Sequence, residues 1–289
     1  MKNYTALIID IVDSKKLNST KRFEVQEKLS ISIKILNELY KNSIYKSLSF
    51  SAGDSIQGLF IDTKIAYDVY YFINQAIFPF SLRAGIGVGS INEVIAKNFN
   101  INDSNIFDGE AYHLARNAVE ACEEEKVNIM ILGNKDTDDM LNILLKEREL
   151  NTTQRQALFS ICSLVPYLRK IVNNSEAFSL FAKILLNLSD YYKGFSRNNI
   201  KNEKTALDIL DVKEIINKNF FSDSMFFKNS SIYYNISKKY RTFLVDLLKT
   251  SEQNINSILK SANINELMKK HFAKQNLVLY LYEGDTELW

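Results

Sequence analysis

Along the first 135 residues, apolar positions switch between a period of two and a period near 3.6, and the switches mark out short elements. YTALIID (4–10) is a compact apolar run rich in β-formers, ended by the polar DSKK. TKRFEVQEKLSISIKILNELYK (20–41) sets Phe23, Leu29, Ile33, Leu36 and Tyr40 at helical spacing. A hairpin follows over 44–52 and 55–62, turning at SAGDS. TKIAYDVYYFINQAIF predicts a second helix closed by Pro79, and PFSLRAGIGVGSI (79–91) returns to strand. DGEAYHLARNAVEACEEE (108–125) predicts a third helix, and KVNIMILG (126–133) a last strand.

Beyond residue 136 the pattern is helical with few breakers: DTDDMLNILLKERE, TQRQALFSICSLVPYLRKIV, SEAFSLFAKILLNLSDYYKGF and TALDILDVKEIINKNF, with Pro166 kinking or dividing one of them. Glycine marks the same change. Six of the nine fall between Gly53 and Gly109, and after Gly133 only Gly194 and Gly284 remain. The fold class expected is therefore α+β. A palm domain over 1–135 precedes a helical domain over 136–289, with the break at 134–137.

The palm order of strand, helix, strand, strand, helix, strand, followed by one more helix and strand, matches the split βαβ, ferredoxin-like arrangement. There the first and third strands are antiparallel neighbours at the sheet centre. The end of the first strand then lies beside the turn entering the third. Asp10 occupies that strand end and Asp54 that turn, so the two acids converge. Each also has an ordinary reading, Asp10 as a cap and Asp54 as turn grammar after Gly53.

Composition narrows the chemistry. The chain has 289 residues, 46% hydrophobic and 24% charged, with a net charge of +2, which gives no footprint for a polyanion binder. No apolar run approaches the ~18 residues needed to span a bilayer, and the N-terminus reads as a buried strand, not a leader. Cys122 and Cys162 lack CxxC spacing and read as buried free thiols, which places the protein in the cytoplasm. Two converging carboxylates repel each other unless a cation joins them, and Mg²⁺ (or Mn²⁺) with a nucleoside triphosphate suits such a place. The loop IVDSKKL offers backbone N–H groups, Ser14, Lys15 and Lys16 to phosphate oxygens, although both lysines read more readily as solvated surface. Arg83 divides evenly between an ion pair and a phosphate contact. Gly85, Gly87 and Gly89 share one side of a strand, as where a backbone packs closely or a ligand approaches.

IIDIVDSKKL, SAGDSIQGLF, LRAGIGVG and DGEAYHLARNA together resemble the SatD family of bacterial proteins, well over residues 1–135 and loosely beyond. More distantly the four blocks are similar in order to the palm of class III nucleotidyl cyclases and GGDEF cyclases. That resemblance implies metal ligands at Asp10 and Asp54 with the Ile11 carbonyl as a third, and sites shared across a homodimer. It implies a nucleotidyl cyclase or a synthase of an oligonucleotide signal, releasing pyrophosphate. It also implies transition-state groups on the late helix, at His113 and Asn117 with Arg116 one residue off. The sequence departs from the pattern at Phe50, where cyclases often carry a purine-reading Lys, and at Ser55, where GGDEF enzymes have Glu. His113 has the alternative reading of a surface histidine.

The stretch 238–264, with a short polar break at Lys249–Ser251 between Phe243, Leu247, Leu248 and Ile255, Ile258, Leu259, fits a helix-turn-helix as well as a plain helical hairpin. Its second helix, SEQNINSILK, would expose Gln253, Asn254 and Asn256 to adenine edges, and QNLVLYLYEG (275–284) would add a closing strand. The alternative function is thus a catalytically degenerate nucleotide sensor or a DNA-binding regulator.

Overall fold

The computed structural model of the chain describes residues 3–51, 55–92, 109–134, 136–146, 150, 152–194, 207–220 and 238–283. Five strands form one mixed sheet: β1 (Tyr4–Ile11), β2 (Ile44–Phe50), β3 (Ile56–Phe60), β4 (Leu82–Gly89) and β5 (Ile129–Leu132). Their order is β2-β3-β1-β4-β5. β1 is antiparallel to both β3 and β4, β2 is antiparallel to β3, and β5 adds parallel to β4. The first four strands thus have the split βαβ order read from the sequence.

Alternation along β1 sorts the two faces of the sheet. Tyr4, Ala6 and Ile8 pack with Leu59 and with Ala111, Tyr112 and Ala115 of helix α3 (Glu110–Glu125). The odd positions face the other way, where Thr5 hydrogen-bonds Thr63 at the start of α2 (Thr63–Ala76) at 2.9 Å. α1 (Ser19–Leu39) packs against α2. In α1 the buried line runs through Val25, Lys28, Leu29, Ser32 and Leu36, and Phe23 is 70% exposed. Six residues separate Phe23 from Leu29, which at ~100° per residue sets it roughly 120° off the line. Lys28 stands inside this line. Its ammonium donates to the Phe78 carbonyl at 2.8 Å and pairs with Glu24 at 2.9 Å, and burial lowers its pKa.

The chain divides into two compact units, Met1–Arg148 with Ala273–Trp289, and Glu149–Phe272. The first holds the sheet, α1 to α3 and α4 (Asp138–Leu145). The second holds α5 (Thr153–Leu164), α6 (Leu168–Ile171), α7 (Ser175–Gly194), α8 (Ile209–Phe220), α9 (Lys238–Leu248) and α10 (Glu252–Ser261). Pro166 sits in a 3₁₀ turn between α5 and α6, as its missing N–H dictates. α11 (Ile264–Glu283) begins in the second unit and ends in the first. The strand expected over 275–284 is helical as far as Glu283. The alternation of LVLYLY suits a strand, but no breaker separates it from INELMKKHFAKQ, and extending a formed helix costs little. No helix among the described residues is long and apolar enough to cross a membrane.

Both cysteines are free and buried. The Cys122 thiol donates to the Ala84 carbonyl at 3.3 Å. Burial pushes each thiol up to about 12. Only the thiolate reacts with disulfide reagents, so both should resist them at pH 8. Labelling is expected to be complete in denaturant and near zero without it; labelling in native buffer within minutes would contradict this.

Candidate functional site

Asp10 is the last but one residue of β1 and continues the alternation of Tyr4, Ala6 and Ile8, so it lies on the α3 side of the sheet. Its neighbour across β4 is Arg83. The carboxylate is half-buried, and among the described residues it has no hydrogen bond or ion pair. Arg83 is paired elsewhere: its guanidinium meets the Glu123 carboxylate at 3.0 Å. Arg83 thus has an ion-pair partner that no motif in the sequence announced.

On the other side of β1 the register runs Thr5↔Phe60 to Ile9↔Ile56. One further step sets Asp10 across from Ser55, whose carbonyl accepts from the Ser51 N–H at 2.7 Å and closes the hairpin. Asp54 itself lies outside the described residues. Phe50, at the end of β2, is exposed.

The loop after β1 is shaped by its backbone. The Val12 N–H donates to the Ser81 carbonyl at 3.0 Å, Asp13 is left-handed at φ 56°, and Ser14–Lys16 form one 3₁₀ turn. Such a turn leaves its first N–H groups unbonded. Among the described residues those of Asp13, Ser14 and Lys15 have no partner. Successive N–H groups around a left-handed residue make a concavity suited to anions. Lys15 and Lys16 are exposed, and the Lys16 ammonium meets the Asp13 carboxylate at 2.9 Å. The cap of α1 is Asn18, which accepts from the Lys21 N–H at 2.9 Å.

The three glycines of β4 have a packing role. A β-carbon on Gly85 would stand 2.0 Å from the Ala115 carbonyl oxygen, and one on Gly87 2.1 Å from that of Ala111. One on Gly89 would meet the Glu110 side chain, whose carboxylate accepts from the Ser90 N–H at 3.1 Å. Going back along β4 from Gly89 to Arg83, the helix therefore advances from Glu110 to Glu123. Asp10 lies at the C-terminal end of α3. His113, Arg116 and Asn117 are exposed on its outer side, in its N-terminal half. From His113 to Glu123 is about 15 Å along the axis. The fold places Asp10, Ile11 and Arg83 together, with Asn117, Arg116 and His113 about 9–15 Å back along the α3 axis from Glu123.

In the second unit, α9 and α10 are separated by Lys249–Ser251, where the sequence puts the break. Gln253 and Asn256 are exposed. Asn254 is not free to read a base. Its amide donates to the Tyr192 hydroxyl at 3.2 Å and the Thr250 hydroxyl at 2.9 Å, which ties α10 to α7.

Among the described residues no group of three or more His, Cys, Asp or Glu side chains could hold a metal ion. The oxygen donors that are described, the Asp10 carboxylate and the Ile11 carbonyl, are of the hard kind that Mg²⁺ takes. No curated protein and no solved structure matches the chain. The SatD family matches residues 4–208, most of the chain, and its span takes in the whole sheet, Asp10 and its loop, and α3. The chain belongs to the SatD family.

Proposed function

We propose that the palm binds a nucleoside triphosphate through Mg²⁺ or Mn²⁺ held by Asp10 and Asp54, and turns it over by cyclisation or by joining nucleotides into an oligonucleotide signal. The observation that carries this reading is the Asp10 carboxylate, half-buried and unpaired among the described residues while the arginine across from it is held by Glu123. A carboxylate withdrawn from water without a partner is costly, and a cation offsets that cost. The β1–β3 register supports Asp54 as the second ligand, since it carries Asp10 to the residue after Asp54. The unbonded N–H groups of Asp13, Ser14 and Lys15 would receive phosphate oxygens, with the Lys15 and Lys16 ammonium groups neutralising charge from the surface. Bound at these carboxylates, the metal would supply charge compensation for the triphosphate and acidify an attacking hydroxyl. His113, Arg116 and Asn117 are exposed in the N-terminal half of α3, so in this reading they act at the site of a second copy in a homodimer. Purified protein with Mg²⁺ or Mn²⁺ and each nucleoside triphosphate should release pyrophosphate and rise in Tm. Neither effect with any of the four would overturn the proposal.

The α9–α10 pair supports a second reading, a DNA-binding regulator, because Ser251 caps α10 and leaves Gln253 and Asn256 on its open side. Here Gln253→Ala with Asn256→Ala should weaken a gel shift that itself fades with added salt, by about 1–3 kcal/mol per lost base contact. Asn254→Ala should instead lower Tm. The absence of any shift at low salt would sink this reading.

A further inference from the structure

β5 is the edge of the sheet, four residues long, in a stretch without charge, VNIMILG. Such an edge presents unpaired backbone groups to any passing strand. In a parallel pair alternate residues turn both backbone groups to the same side. The Asn128 carbonyl is bonded on the β4 side, to the Ala84 N–H at 2.9 Å, so Ile129 and Ile131 turn outward. At Ile131 the outward groups are taken by a side chain. Asn142 of α4 accepts from the Ile131 N–H at 2.8 Å and donates to the Ile131 carbonyl at 2.9 Å. One buried amide stands where a neighbouring strand would pair.

α4 is held in place at both ends. At its start, the Asp138 carboxylate accepts from the N–H groups of Gly133 (2.9 Å) and Asn134 (3.1 Å) and from the Tyr282 hydroxyl. At its end, the Lys274 ammonium donates to the carbonyls of Leu145 (3.0 Å) and Lys146 (3.4 Å). Lys274 to Tyr282 is eight residues, ~12 Å of helix, and α4 is of the same length. The last turns of α11 therefore run antiparallel along α4 and clasp it. α4 itself is anchored by the buried Leu141 and Leu145, so the less buried part of this pair is the end of α11. Over 273–282, among the described residues, Val278 is buried while Leu277, Leu279 and Leu281 are partly so, and the Gln275 amide donates to the Asp68 carboxylate at 2.7 Å. Segments with few buried apolar contacts open at lower free energy than the core they rest on.

We propose that α4, through Asn142, guards the β5 edge under the releasable last turns of α11, and that the edge once uncovered pairs antiparallel with β5 of a second copy. A second copy suits the edge because a two-fold axis sets the same uncharged strand against itself, with no charge to repel it. Asn142 is the residue that keeps the edge closed.

The test compares the full chain with Asn142→Leu and Tyr282→Phe by sedimentation velocity over a range of concentrations and by hydrogen exchange at Ile131. Asn142→Leu should speed exchange at Ile131 at least tenfold and add a concentration-dependent species twice the mass of the wild-type particle. Tyr282→Phe leaves the edge bonds in place and should speed the same amide by a smaller factor. Unchanged exchange in a folded Asn142→Leu protein overturns the guard, and faster exchange without added mass overturns the second copy as its occupant. If Asn142→Leu does not fold, Tyr282→Phe decides: exchange at Ile131 no faster than wild type refutes the proposal.

Discussion

If the proposed function holds, Asp10→Asn is expected to abolish the Mg²⁺-dependent rise in Tm that nucleoside triphosphate would give the wild-type protein, while leaving the unliganded Tm unchanged or slightly higher. The two effects have one cause. Without metal the half-buried carboxylate has no partner among the described residues, so replacing it by a neutral amide of the same shape removes a desolvated charge. In the proposed site the same charge would be the metal's ligand. A ligand at 100 times its Kd stabilises by about 2.7 kcal/mol, and at roughly 2–4 °C per kcal/mol for a domain of this size the lost shift is about 5–10 °C. Differential scanning fluorimetry with and without Mg²⁺ reads both. A variant that keeps the full ligand shift would remove Asp10 from the site, and one that loses unliganded stability would make it a structural residue.

Gly87→Ala should cost about 3 kcal/mol or more, near the upper end for a single added methyl group. Its β-carbon would stand 2.1 Å from the Ala111 carbonyl oxygen and 2.3 Å from the Ala115 nitrogen, so a helix backbone would have to move. Gly85→Ala meets the Ala115 carbonyl oxygen at 2.0 Å and should behave alike. Gly58→Ala is the control. There the first obstacle is the end of the Leu48 side chain at 3.0 Å, which can turn aside, and the cost should stay near 1 kcal/mol or below. Urea midpoints at constant m separate the cases. Equal midpoints for Gly87→Ala and Gly58→Ala would mean that α3 does not rest on β4 as closely as described.

The same glycines show how far the sequence reads. Their spacing along one strand announced a close approach but left open whether a helix or a ligand made it. Only α3, folded back over β4, settles that in favour of the helix. Arg83 is similar: its place on the strand was legible, whereas its ion-pair partner Glu123 lies forty residues later in the chain and is brought near by the crossover. Asn254 looked like an exposed polar residue on an amphipathic helix, and its role came from Tyr192 on another helix.

By itself the sequence determined the α+β class, the order of the elements, the helical breaks at Pro166 and 249–251, and the neighbours of β1, because these follow from local period, backbone chemistry and the connection rules of short chains. It placed Asp10 near the C-terminal end of the central strand, which the structure carries one residue further, to Ile11. The tertiary structure decided what each face meets: that Phe23 leaves the core, that Lys28 enters it, that 275–283 is helix, and that Asn142 closes the β5 edge. Hydrophobic period states which side of an element turns inward. It carries no information on which distant residue waits there, since that is fixed by packing and hydrogen-bond satisfaction across the whole fold.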